Sequence, residues 1–167
     1  NGGGDTLRTA RGLDTVDGGA GDDRWEADKS FLTPTQAMVL DLTLSGLQAS
    51  YGSGGQTSNV EMLTLLTGAG NDVITTLRAD FNDTLTTNGG DDRVVVGGGR
   101  DVVHFGLGDD TLVLDWSGYG NAVQNGLAMG GGQFGHTSAQ SITTAITVLA
   151  ELGDLVVQQF QNFIAQR

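Results

Sequence analysis

Cysteine is absent from the 167 residues, and proline and lysine each occur once. Without thiols there is no disulfide, zinc-thiolate site or thiol chemistry to consider, so a small secreted domain of this kind needs another staple. Bound metal ions can serve as one. Positive charge is scarce: Lys29 and the arginines make eight basic residues against 20 acidic ones. A net charge of −12 disfavours nucleic acid and anionic membrane as partners. No run approaches the roughly 18 apolar residues of a membrane-spanning helix, and no basic-then-apolar leader opens the chain. The chain starts inside a repeat at Asn1, as a piece of something longer would.

What the sequence has instead is glycine, at 28 residues, and aspartate in a fixed frame. So much glycine could signal a disordered linker, but 38% of the residues are hydrophobic and they fall in register, which favours order once the acid is neutralised. Asp5, Asp14, Asp23, Asp72, Asp83, Asp92, Asp101 and Asp110 each have an aliphatic residue or Trp two positions later, usually with Gly two positions before. Seven of these eight lie in two runs of nine-residue spacing. Gly18-Gly19-Ala20-Gly21-Asp22-Asp23-Arg24-Trp25-Glu26 is a complete copy of G-G-x-G-x-D-x-U-x, with U apolar. One Gly-x-Asp is usually only a turn. Eight in phase are not a turn accident.

With Asp as position six, a first repeat block spans 1–26, with Leu7, Val16 and Trp25 at position eight. A second spans 67–113, with a two-residue slip at Thr76-Leu77, and places Ile74, Leu85, Val94, Val103 and Leu112 there. Position four is Gly3, Gly12, Gly21, Gly70, Gly90, Gly99 and Gly108, with Phe81 the exception. The glycines supply the positive φ of a tight turn, and x-U-x makes a short strand with one inward side chain. So short a strand cannot bury a core alone, so coils must stack in parallel ladders with two repeats per coil. The expected fold is all-β: a parallel β-roll, or β-solenoid, of stacked nonapeptide repeats. Asp5 should then stack over Asp23, Asp83 over Asp101, and Asp92 over Asp110.

Residues 27–66 break the period and read as irregular inserted β coils that continue the stack. Val39 to Leu44 alternates like a strand, Gly52-Ser53-Gly54-Gly55 reads as a loop, and Val60 to Leu66 as another strand. Residues 114–167 begin like that insertion and read as a second spacer-like module or a cap for the open end of the stack. Within them, 138–165 has a helical apolar stripe but also a β-branched run, Ile142 to Val148. Parallelism with the first insertion favours strands.

Stacked turns of this type line up carboxylates and bare carbonyls, the oxygen ligands that a hard cation such as calcium prefers. Magnesium fits less well, because its shorter bonds and tightly held water suit a carbonyl cage poorly. The repeat resembles that of the RTX, or hemolysin-type calcium-binding, family, whose signature is this nonapeptide. The resemblance implies a parallel β-roll with each calcium ion between turns of repeats two apart. Asp23 would bind with the carbonyls of Gly18, Gly19 and Gly21. Asp92, Asp101 and Asp110 would bind with those of Gly89, Gly90, Gly97, Gly99, Gly106 and Gly108. Asp5, Asp14, Asp72 and Asp83 complete the expected ligand set. The Asp83 turn lacks glycine, and Asp14 and Asp72 have no evident stacking partner.

Other chemistry finds little support. Gly130-Gly131-Gly132-Gln133-Phe134-Gly135 spells G-x-G-x-x-G outside any βαβ unit and reads as a glycine loop. His104 and His136 lack partner spacing, and no H-E-x-x-H or G-x-S-x-G occurs. Trp25 and Trp116 could stack on a sugar, but Trp25 holds an inward position and reads as core. The expected function is a noncatalytic calcium-binding module of a secreted bacterial protein, folding on calcium after type I secretion, at the cell surface or outside the cell. Its partners would be calcium ions and further repeats or effector domains of a parent chain. One alternative is a stiff adhesin or surface-layer segment, although positions seven and nine carry no regular array. The other is a polysaccharide-active β-helix enzyme, hinted at only by Arg93 and Arg100 near Asp91 and Asp101.

Overall fold

The computed structural model describes residues 2–77, 81–97 and 101–115. The 138–165 segment, the 114–167 module beyond Asp115, Trp116, His136, the 130–135 loop, Arg100 and Gly99 lie outside them. Among the described residues twelve strands form, the repeat strands at the apolar position eight that follows each turn and the others in the insertion. They are β1 (Thr6–Thr9), β2 (Thr15–Asp17), β3 (Arg24–Asp28), β4 (Val39–Asp41), β5 (Leu47–Tyr51), β6 (Gly55–Ser58), β7 (Met62–Leu66), β8 (Val73–Thr76), β9 (Thr84–Thr86), β10 (Arg93–Val96), β11 (Val102–His104) and β12 (Thr111–Leu114).

Consecutive repeat strands alternate between two sheets, one of five strands in the order β1-β3-β7-β9-β11 and one of seven in the order β12-β10-β8-β4-β5-β6-β2. All pairs in the first sheet are parallel. Val16, Trp25, Ile74, Leu85 and Val94 at position eight are buried and join Leu40, Leu63 and Val60 in one core, with Leu7, Val103 and Leu112 packed against it. The expected all-β parallel roll is the fold.

Parallelism fails in the insertion. β5 runs antiparallel to both β4 and β6, so part of the inserted segment is a meander, not a continuation of parallel coils. Gly52 and Gly54, at φ 56° and 153°, reverse the chain tightly between β5 and β6. The meander lets the second sheet carry seven strands where the first carries five. Its outer strands pair in parallel with β8 and β2, and Gln48, 3% exposed at an irregularity of β5, adds a side-chain tie to the segment that leads out of it. The Gln48 amide accepts from the Val60 N–H at 2.8 Å and donates to the Val60 carbonyl at 2.9 Å, as a strand peptide would.

Candidate metal centre

The turns collect on two edges of the roll, one preceding each sheet. Position four has positive φ at Gly3, Gly12, Gly21, Gly90 and Gly108, and at position two Asn88 adopts the same left-handed backbone as Gly19. A Cβ on Gly21 would overlap the Gly3 carbonyl oxygen, and one on Gly108 would overlap that of Gly90. A Cβ on Gly90 would lie 2.5 Å from the Gly70 carbonyl oxygen. Bare glycine therefore lets the turns approach until carbonyls of one coil face the next. A Cβ on Gly18 would overlap the Asn59 carbonyl oxygen of the inserted segment and also come 2.8 Å from Asp23 Oδ2 in its own turn.

The position-six aspartates hold the coils in register through one repeated bond. Asp5 N–H donates to Asp23 Oδ1 at 2.7 Å, Asp83 N–H to Asp101 Oδ1 at 2.9 Å, and Asp92 N–H to Asp110 Oδ1 at 3.0 Å. The three expected pairs thus lie in adjacent coils, 18 residues apart. Asp72, which had no evident partner, stacks on Asp92 at a spacing of 20 because of the two-residue slip, its N–H 2.8 Å from Asp92 Oδ1. Asp72 in turn accepts the Met38 N–H from the inserted segment. Glu61 continues the ladder beyond Asp23, taking the Asp23 N–H on Oε2 at 2.8 Å.

This bond uses one carboxylate oxygen only. Among the described residues, Oδ2 of Asp23, Asp72, Asp92 and Asp110 is buried without a hydrogen-bond partner. Such atoms are costly unless a cation or proton meets them. Desolvation accordingly pushes the carboxyls of Asp72, Asp83 and Asp110 above the usual carboxylate range, and those of Asp92 and Asp101 up to about 7. Backbone N–H donors and the nearby Thr67, Thr76 and Thr87 hydroxyls offset part of this at Asp72, Asp83 and Asp92. Thr87 Oγ1 and Thr76 Oγ1 nonetheless close no hydrogen bond. The donor set is all oxygen, anionic and cradled by glycine, and it fits a calcium ion.

Two turns differ. Asp14 Oδ2 pairs with Lys29 Nζ at 2.5 Å, and β6 brings no aspartate beside it, its Gln56 N–H meeting the Asp14 carbonyl at 2.9 Å. The Asp83 turn contains no described glycine, and its Asn82 carbonyl accepts from Arg24 Nη2 at 3.0 Å. Asp83 Oδ1 takes the Leu63 N–H, two residues beyond Glu61, so the ladder steps sideways at β7. Asp5 is exposed and Asp101 half-buried, whereas the other repeat aspartates except Asp14 are buried.

No three Asp, Glu or His side chains converge among the described residues. Glu61, Lys29 and the position-one threonines Thr67 and Thr87 were not legible from the aspartate frame. The signals were present but weak: an acid at the head of the Val60–Leu66 run, and the single lysine just after the first block.

The model of the RTX calcium-binding nonapeptide repeat matches the chain in four copies, over residues 1–24 and 79–112. These stretches hold every repeat aspartate except Asp72, while the insertion lies outside them. No curated protein and no solved structure matches.

Proposed function

Because this chain carries RTX calcium-binding nonapeptide repeats, we propose that it is a noncatalytic module that folds on binding calcium outside the cell, as part of a secreted bacterial protein. The observation that carries this reading is the set of buried, partnerless carboxylate oxygens on Asp23, Asp72, Asp92 and Asp110. These residues, with Asp83 and Asp101 and the carbonyls of the neighbouring glycine tracts, would hold the ion. Bound calcium supplies the positive charge and oxygen coordination that offset the carboxylates.

Without a cation, stacked aspartates repel across adjacent coils, and strands of three to five residues cannot offset their ordering entropy. The net charge of −12 adds a general repulsion. Ligand binding to the folded state alone then becomes folding free energy. Extracellular modules often bind calcium at about 0.1 to 1 mM. Such affinity keeps the chain unfolded inside a cell and lets it set outside, consistent with export in an unfolded state by a type I system.

Circular dichroism of the chain in chelator, then in millimolar calcium and separately in millimolar magnesium, tests this. The β signal should be weak in chelator, rise with calcium and respond far less to magnesium. A complete β signal in chelator would refute calcium-driven folding.

A further inference from the structure

Lys29 is the single lysine of the chain, yet its side chain is fully buried at the start of the insertion. Its ammonium has three N–H donors and meets three acceptors: the Ala10 carbonyl at 3.0 Å, the Gly12 carbonyl at 2.9 Å and Asp14 Oδ2 at 2.5 Å. Those acceptors stand at positions two, four and six of one repeat. In the next repeat the same positions are Gly19, Gly21 and Asp23, residues expected to face calcium, and there Asp23 Oδ2 has no partner among the described residues. The rings of Trp25 and Tyr51 lie 5.7 and 5.4 Å from the Lys29 ammonium and stack on each other at 5.8 Å. Aromatic faces favour a cation and exclude water.

We propose that the Lys29 ammonium occupies the cation place of the Asp14 turn, so that this turn is held by the chain's own charge and takes no calcium ion. The inference rests on the calcium reading for the other turns and departs from the expectation that Asp14 is a ligand. The neighbouring coil explains the need: on the side of the insertion, β6 offers a backbone N–H and no aspartate, so half of a shared metal site is missing. A tethered ammonium needs no ligand from that side. Through these side-chain bonds it also fastens the first repeat block to the insertion, whose two ends the Lys29 backbone N–H joins by donating to the Leu66 carbonyl at 2.7 Å.

Since no other lysine is present, amine acylation read at the Lys29 peptide by mass spectrometry reports this one group. In the calcium-loaded chain Lys29 should react at least about tenfold more slowly than in denaturant, and stay protected as calcium is raised further. Acylation at the denatured rate, or acylation that increases with added calcium, would mean that metal takes the place, and the proposal would fall. Calorimetric counting of bound calcium gives an independent arm. Asp14→Asn should leave the number of ions unchanged; a loss of one ion would overturn the proposal. Asp92→Asn should lower the number, and if it does not, the calcium reading fails while Lys29 protection still decides the ammonium's place.

Discussion

Six of the eight repeat aspartates, Asp23, Asp72, Asp83, Asp92, Asp101 and Asp110, accept an N–H from the preceding coil on one carboxylate oxygen, which fixes the register. The other oxygen, at Asp23, Asp72, Asp92 and Asp110, is left buried for a cation. The cost of that arrangement shows in protonation. Asp92 and Asp101, pushed by desolvation up to about 7, bind protons in the metal-free fold that they release in the unfolded chain, where a carboxyl titrates near 4. Between those values the folded state holds more protons, so metal-free stability falls as pH rises from about 4 through about 7. In chelator, residual β structure followed by circular dichroism should therefore be greater at about pH 5.5 than at about pH 8. In calcium the trend should reverse, because protons compete with the metal for the same oxygens. Chelated chain that gains structure on alkalinisation would contradict this.

Among the elements, the repeat strands are the part most legible in the sequence. A fixed period places Trp25, Ile74, Leu85 and Val94 inward, and the two-residue slip at Thr76-Leu77 explains why Asp72 pairs with Asp92 at 20 residues and not 18. The meander was not legible, because Leu47 to Tyr51 has no repeat period and its direction is set by turn glycines and partners distant in sequence. Lys29 was likewise hidden, its role arising from acceptors that the chain brings back from the preceding turn. Gln48 marks the junction between the two regimes. Gln48→Leu keeps the volume but strips both bonds from the Val60 peptide, and should lower the stability of the calcium-loaded chain by about 2 to 4 kcal/mol. Thermal melts in saturating calcium measure it, and an unchanged midpoint would show that the meander needs no such join.

For the whole molecule, the described strands are short, the core is a single column of inward residues, and neither disulfide nor excess positive charge is available to hold them. Calcium is the staple that this composition leaves open, with Lys29 as a built-in substitute at one turn. The coupling of order to calcium should be strongest where orphaned oxygens are densest, around β8, β10 and β12. Amide hydrogen exchange over residues 2–115, in chelator and in millimolar calcium, tests this most directly. The backbone N–H groups of these three strands and of Asp72 and Asp92 should exchange freely in chelator and become protected together as calcium is added. Strong protection of the same amides in chelator would contradict calcium-dependent folding.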